Sequence, residues 1–315
     1  MEISELIALQ TIKGIGNKTL LEIIKFLDLK DRSSFNQRDL DDFPSYKVLN
    51  RAVKPLAEFF LKQNYQNLVD SCQTQISKWE EAGISIIPHN SEDYPPQLKA
   101  LDDPPALLFC LGNLSLLKES KSIAVVGTRD NTRLGEVITR KTVEHFAGKS
   151  FCIVSGLALG IDAIAHKTAL SNDAPTIAVL VDIINIYPSN HRELAAQILA
   201  KNGLLLSENP PLTSGIPALF AKRDRIQAGI SAAVFAIETS IDGGTMHAVK
   251  AALSMNRPVF VPDAIAAGYA DLTIKAISGT QQLVNDQKGT PYTSESYAKI
   301  CDQLGEIAAQ FRADC

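Results

Sequence analysis

The chain has 315 residues, of which 45% are hydrophobic and 21% are charged, a composition that excludes disordered and fibrous proteins. It contains neither an apolar run long enough to span a bilayer nor a basic segment followed by an apolar stretch at its start. The sequence therefore predicts a cytoplasmic protein with no membrane span and no signal peptide. A formal net charge of −4 argues against a protein that coats duplex DNA through bulk electrostatics.

Residues 1–95 are predicted to form a small all-helical domain, because apolar residues recur there at helical spacing. Within it a Gly14-Ile15-Gly16 turn separates two helical stretches, as in helix-hairpin-helix or SAM-like domains. Glycine N–H groups and a helix N-terminus can hold a nucleic-acid phosphate. Equally, the two glycines can serve only to permit a tight turn between packed helices.

Residues 96–290 are predicted to form a Rossmann-like, doubly wound α/β domain with a mostly parallel sheet, followed by a helical tail over residues 291–315. Apolar runs of strand length alternate with helical segments, as strands buried on both faces require. The runs cover residues 123–126, 151–154, 176–181, 204–206, 233–237 and 258–261. In this architecture ligands bind at the carboxyl ends of the strands.

The first of these strands runs into Gly127, Thr128 and Arg129. Glycine allows a ligand to approach the backbone, and the Arg129 guanidinium suits a phosphate or a carboxylate. The loop is not a Gly-x-Gly-x-x-Gly fingerprint, and no acidic residue closes the second strand. A dinucleotide cofactor is therefore disfavoured, and no cofactor is expected.

The second strand ends at Ser155 and Gly156 and continues through Gly160 into a helix. Backbone N–H groups backed by a helix dipole favour a phosphate here. Asp162 and His166 lie four residues apart and share a helix face. We interpret them as a local structural pair rather than a catalytic dyad.

A third loop, Gly243-Gly244-Thr245, precedes another helix, and a cluster of three cations lies upstream of its strand. Arg223 and Arg225 cannot face the same way on a helix, so one is expected to reach the ligand while the other braces the loop. The five cysteines form no Cys-x-x-Cys pair, which disfavours a zinc site. With no catalytic or metal-binding residue expected, the predicted phosphate-binding residues are Gly127, Thr128, Arg129, Ser155, Gly156, Gly160, Lys222, Arg223, Arg225, Gly243, Gly244 and Thr245.

The order of these motifs resembles the DprA/Smf family of bacterial DNA-processing proteins, over roughly residues 98–284. The matching pieces are Val126-Gly127-Thr128-Arg129, Ser155-Gly156-Leu157-Ala158, Gly160-Ile161-Asp162, Tyr187-Pro188, Ser207-Glu208, and Phe220 with Arg223, Arg225, Ile226, Gly229 and Ser231. The resemblance implies a non-enzymatic homodimer that binds single-stranded DNA in a basic pocket. It further implies protection of incoming DNA and loading of the RecA recombinase during natural transformation. The winged-helix domain that follows in many members is expected to be missing.

Three acids depart from the family pattern: Asp224 between the two arginines, Asp242 before the Gly243 turn, and Asp263 after a strand. A carboxylate about 4 Å from a phosphate opposes it by roughly 4 kcal/mol at an effective dielectric near 20. These acids are therefore expected to weaken DNA binding unless they pair with Arg223 or Arg225.

Two further functions remain open at this point. The first is a sensor or hydrolase of a nucleotide-derived small molecule, for which Glu238 and His247 are the acid/base candidates. The second is a scaffold with a vestigial pocket that acts through dimerisation or partner contact. For DNA binding, Tyr187 and Phe220 are the candidate aromatic platforms for base stacking.

Overall fold

The computed structural model describes residues 2–40, 42, 50–61 and 65–313. The chain divides into two compact units, one formed by residues 1–92 and 105–108, the other by residues 93–104 and 109–315. The ends of the predicted helical domain and tail, at residues 1 and 314–315, lie outside the described residues. The division into 1–95, 96–290 and 291–315 stays a proposal.

The first unit is mainly helical. Its elements are α1 (Ile3–Gln10), α2 (Asn17–Leu29), α3 (Asn50–Leu61), α4 (Tyr65–Glu81) and the strand β1 (Ile84–Pro88). The turn between α1 and α2 needs Gly14, whose φ of +98° is unfavourable for other residues. At the start of α2, Asn17 Oδ1 accepts the Ala106 N–H at 2.7 Å. The Asn17 side chain thus serves packing within this unit, and a phosphate site at the turn stays a prediction.

The second unit contains a mostly parallel sheet. Its strands are β2 (Leu107–Gly112, which begins in residues of the first unit), β3 (Ser122–Val126), β4 (Cys152–Ser155), β5 (Thr176–Leu180), β6 (Leu204–Ser207), β7 (Ala233–Ala236), β8 (Val259–Pro262) and β9 (Thr290–Tyr292). They are ordered β2-β6-β5-β4-β3-β7-β8-β9. The pair β2–β6 is antiparallel, and the pairs from β6 to β9 are parallel. The predicted Rossmann-like, doubly wound architecture is confirmed.

The helices of the second unit are α5 (Arg133–Ala147), α6 (Ile161–Ser171), α7 (Arg192–Ala200), α8 (Pro217–Gly229), α9 (Met246–Ser254), α10 (Lys275–Asn285) and α11 (Tyr297–Ala313). The chain builds outward from β3 to β4, β5 and β6, then returns to add β7 on the other side of β3. Strand order therefore reverses beside β3, where this fold places its ligands. Among the described residues, the helices are all too short or too polar to cross a bilayer.

The edge strand β9 was not predicted from the sequence. It has three residues, and it pairs with β8 in a register that places Pro291 opposite Val261. The Tyr292 carbonyl accepts the Asp263 N–H at 3.0 Å, so the backbone of Tyr292 faces β8. Because successive residues of a strand alternate in direction, the backbone of Pro291 faces away from β8.

Candidate nucleic-acid-binding site

An open cavity of about 820 Å³ lies at the reversal of strand order, beyond the carboxyl ends of β3 and β7. Three segments contribute most of its wall: the loop after β3, helix α8, and the loop between β7 and α9. The predicted residues that line it are Gly127, Thr128, Arg129, Arg223, Gly243, Gly244 and Thr245. The structure thus brings together two of the three glycine-containing loops and one of the three clustered cations.

The loop after β3 is held by Glu238, whose side chain is completely buried. Its carboxylate accepts the Thr132 N–H at 2.9 Å, the Thr132 hydroxyl at 2.5 Å and the Tyr269 hydroxyl at 2.8 Å. Arg129, in contrast, is exposed and lines the cavity. Glu238 therefore positions the segment that carries Arg129 and is not available as a general acid or base, which leaves the hydrolase interpretation with His247 alone.

Two N–H groups of the loop after β4 already have an acceptor within the chain, which the sequence did not predict. The Asp162 carboxylate accepts the Gly156 N–H at 3.2 Å and the Ala158 N–H at 3.3 Å. Ser155 is buried and donates its hydroxyl to a backbone carbonyl of β3, at 2.7 Å. At Gly160, which has a φ of +75°, a Cβ would lie 2.4 Å from the Thr128 carbonyl oxygen. The Ser155 hydroxyl and the Gly156 N–H therefore have partners within the chain, and Gly160 allows the close approach of the Thr128 carbonyl.

The predicted pairing of Asp162 with His166 is wrong. His166 is completely buried, and its Nδ1 lies 2.8 Å from the Thr176 hydroxyl, while Asp162 is hydrogen-bonded to the loop after β4. Burial lowers the pKa of His166 to about 3, so the imidazole is neutral at physiological pH. A shared helix face brings two residues close, but each here has a better partner on a neighbouring strand or loop.

Arg223 lies in the wall of the cavity, but it is buried, with only 4% of its surface exposed. Its Nη1 donates to the carbonyls of Gly156 and Val179, and its Nε lies 3.0 Å from Asp224 Oδ1. Burial raises the pKa of Asp224 to about 6, although the Arg223 charge opposes that shift. Asp224 therefore lines the cavity, where a carboxylate is expected to weaken DNA binding, but it is paired with Arg223.

Lys222 and Arg225 do not line the cavity. Lys222 Nζ lies 2.9 Å from Glu208 Oε2, and Arg225 holds the same carboxylate through two nitrogens, at 2.7 and 2.8 Å. Arg225 also donates to the Asp103 carbonyl at 3.0 Å. We expected one of the two arginines to stabilise a loop, and Arg225 does so through its bond to Asp103. Glu208 pairs with both cations, and Asp103 Oδ2 lies 3.6 Å from Arg225 Nη2 as a second acidic partner; Glu208 was quoted in the sequence motif without a role.

The loop between β7 and α9 is the most open part of the wall. Gly243, Gly244 and Thr245 line the cavity just before α9 begins at Met246, and a Cβ on Gly244 would meet nothing within 4 Å. Anions are favoured at such a helix N-terminus. Asp242 is exposed and lies outside the lining.

Asp263 also departs from the family pattern, and it too lies outside the cavity lining. Its Oδ1 accepts two backbone N–H groups of the following turn, from Ile265 and Ala266, each at 3.0 Å. Asp263 therefore caps a turn. Of the three unusual acids, Asp224 is the one that the structure places at the cavity.

An aromatic pair borders the cavity. Tyr187 and Phe220 both line it, with ring centroids 5.1 Å apart, and Tyr187 is 58% exposed. Both residues were predicted as stacking candidates. Sequence reasoning missed the polar residue Gln227 on α8, which also lines the cavity.

Comparisons with known proteins place this site in context. Residues 85–305 match the family model described as DNA recombination-mediator protein A. The DNA processing protein DprA of Bacillus subtilis (strain 168) is 35% identical over 219 residues, which is 69% of this chain and 73% of that protein.

Two solved structures are similar to this one. The X-ray structure of DprA from Streptococcus pneumoniae has a TM-score of 0.77 and 26% identity, covering 95% of this chain and 98% of that one. A structure of DprA from Helicobacter pylori, reported for its unique single-stranded DNA binding mode, has a TM-score of 0.60 and 27% identity. That match covers 71% of this chain and 96% of the other.

Proposed function

This chain belongs to the DprA/Smf family of DNA recombination mediators, and on that premise we propose that it binds single-stranded DNA at the cavity beside β3. In this proposal the protein is a cytoplasmic homodimer that protects incoming DNA and helps to load the RecA recombinase during transformation or recombination. The relative from Helicobacter pylori, which is described as binding single-stranded DNA, supports the DNA-binding part.

The single observation that carries the proposal is the exposed Arg129 on a braced loop, facing the same cavity as the open turn at the start of α9. An arginine and a helix N-terminus are both suited to phosphate groups. The aromatic pair Tyr187–Phe220 supplies a surface on which a base can stack. A duplex hides its bases from such a surface, so the site favours an unpaired strand.

Few of the predicted cations remain for the DNA backbone, because Lys222 and Arg225 pair with Glu208 and Asp103, and Arg223 is buried. Each phosphate contact with a single strand contributes about −0.7 to the slope of log affinity against log salt concentration. We therefore expect a shallow salt dependence for one protomer, with a steeper slope where a homodimer engages the strand twice.

The decisive experiment is a gel shift with single-stranded and duplex DNA of equal length. The wild type is expected to bind the single strand more tightly, and Arg129→Ala to weaken that binding about tenfold, since a charged hydrogen bond is lost. Arg140→Ala is the matched control, because Arg140 is an exposed arginine on α5 that pairs with Glu136 and does not line the cavity. Equal binding of both forms would refute the preference for an unpaired strand, and binding of free mononucleotides alone would favour the small-molecule sensor instead.

The partner and the assembly need separate measurements. Sedimentation is expected to show a homodimer, and RecA filament assembly on a coated single strand is expected to be faster in the presence of the protein. Retained DNA binding without any acceleration would refute the recombinase step while leaving DNA binding in place.

A further inference from the structure

A second open cavity, of about 350 Å³, lies beyond the carboxyl end of β5. It adjoins the first cavity, because four residues line both: Tyr187, Gly215, Phe220 and Arg223. The two cavities thus meet at the aromatic pair Tyr187–Phe220. A strand that stacks a base on this pair has the second cavity directly beside it.

Leu212 lines the second cavity in a conformation that is unfavourable for leucine. Its φ is +69°, in the left-handed region that glycine or asparagine usually occupies in turns. The turn is fixed by the Thr213 hydroxyl, which donates to the Pro210 carbonyl at 2.6 Å. The Leu212 side chain is 64% exposed, so packing in the core does not offset the strain. Strained residues of this kind cluster at binding sites.

Leu212 differs in this respect from the other non-glycine residues that have a positive φ in the described part of the chain. Six of them follow the end of a helix, where the left-handed conformation is common. The seventh, Leu157, is completely buried in the loop after β4. Neither a helix end nor burial accounts for the conformation of Leu212.

Arg192 lines the same cavity, is exposed, and makes no ion pair with the rest of the described chain. It is the first residue of α7, where the helix dipole disfavours a cation, so folding gains nothing from its charge. Two further charged residues line this cavity, Asp182 and Arg223, and each is only 4% exposed. The accessible charge of the second cavity is therefore positive, and it lies at a helix N-terminus that favours anions.

We propose that Arg192 and Leu212 form a second contact site for the same single strand, in which Arg192 binds a backbone phosphate and Leu212 packs against an adjacent base. This inference rests on the proposed binding of single-stranded DNA at the first cavity. Two features that disfavour the free protein converge on one cavity, and a flexible polyanion with apolar base faces stabilises both. A duplex keeps its base faces stacked inside and offers none to Leu212.

The test is fluorescence anisotropy with thymidine oligonucleotides of about 4 to 16 nucleotides, a range that spans common site sizes for single strands. The shortest are expected to fill only the first cavity, and the longest to reach the second. Arg192→Ala and Leu212→Gly should each weaken binding of the longest oligonucleotides about five- to tenfold and leave binding of the shortest unchanged. Arg129→Ala should weaken binding at every length, and Arg140→Ala at none.

Thermal melts separate a contact with DNA from a structural role of Leu212. Glycine adopts a φ of +69° without strain, so Leu212→Gly should melt at the wild-type temperature or above it while binding long oligonucleotides more weakly. Gln287→Gly is the matched control, because Gln287 is exposed, has a φ of +56° and lines neither cavity. It should leave DNA binding unchanged. A lower melting temperature for Leu212→Gly would overturn the role assigned to Leu212.

Salt dependence tests the role of Arg192 directly. For the longest oligonucleotides, Arg192→Ala should lower the slope of log affinity against log salt concentration by about 0.7, the value for one phosphate contact. Arg192→Lys keeps the charge and should keep the slope. For the shortest oligonucleotides the slope should be the same in all three proteins.

The remaining outcomes distinguish this site from the proposed function. If both variants bind long oligonucleotides as the wild type does, or lose affinity equally at every length, the second contact site is refuted and DNA binding at the first cavity stands. An effect of only one of the two residues would overturn the joint site. If the wild type binds no oligonucleotide at all, the proposed function fails, and this inference fails with it.

Discussion

Replacing Arg223 with alanine should damage folding more than DNA recognition. The guanidinium is 4% exposed and joins three elements, through the Gly156 carbonyl, the Val179 carbonyl and Asp224. Removing one partner of a buried ion pair costs about 3–5 kcal/mol, because the other charge stays buried. Each orphaned carbonyl adds about 1 kcal/mol or more. The expected loss of unfolding free energy is thus about 5–7 kcal/mol, comparable to the whole stability of many domains.

The assay is urea-induced unfolding followed by circular dichroism, with fluorescence of the single tryptophan, Trp79, as a separate probe of the first unit. Adding Asp224→Asn to the Arg223→Ala background should recover about 1–2 kcal/mol, because the uncompensated carboxylate is removed. The reasoning would be refuted if Arg223→Ala unfolded within about 1 kcal/mol of the wild type and yet lost its affinity for single-stranded DNA. That result would make Arg223 a direct ligand of the DNA.

Three further changes test other parts of the site. Gly135→Ala should lower stability by about 1–3 kcal/mol in thermal melts, because the new Cβ would lie 2.4 Å from the Glu238 carboxylate. Gly244→Ala is the control: its Cβ would meet no atom within 4 Å, so the melting temperature should stay unchanged. Asp224→Asn leaves Arg223 without its carboxylate partner, so the assigned pKa is tested by the pH dependence of stability and not by its absolute value. Because the folded-state pKa of Asp224 is raised from 3.8 to about 6, the wild type should gain stability relative to Asp224→Asn as pH falls from 7.5 to 4; a relative loss on acidification would contradict the assigned shift. Arg129→Ala should reduce the salt slope of binding by about 0.7 per lost phosphate contact, and an unchanged slope would show that Arg129 touches no phosphate.

The sheet was predictable because the signal for strands buried on both faces is strong. Short continuous apolar runs such as residues 233–237, alternating with helical segments, are typical of strands in a parallel sheet, and the structure places β7 there. The strands β1 and β9 carried no such signal. The segment Thr290–Tyr292 buries only Tyr292, so its hydrophobic pattern is too short to distinguish a strand from a loop.

The site was predictable in position but not in the use of its groups. Two of the three predicted glycine-containing loops line the cavity, yet Asp162, in the first turn of the following helix, accepts the Gly156 and Ala158 N–H groups of the loop after β4. The role of Glu208 depends on its distance from Lys222 and Arg225 in space, which spacing along the chain does not encode. Partner choice among charged groups follows from tertiary geometry, whereas the location of the loops follows from strand order.

The backbone direction of Pro291 limits how copies of this protein can assemble. On the side of β9 that faces away from β8, the middle residue of the strand offers a carbonyl but no N–H, since proline lacks that donor. A strand from a second copy would find no continuous ladder there, as is common for edges protected from aggregation. Dimerisation by extending the sheet at β9 is therefore disfavoured, and a search for the self-association surface should begin with side-chain packing elsewhere on the second unit.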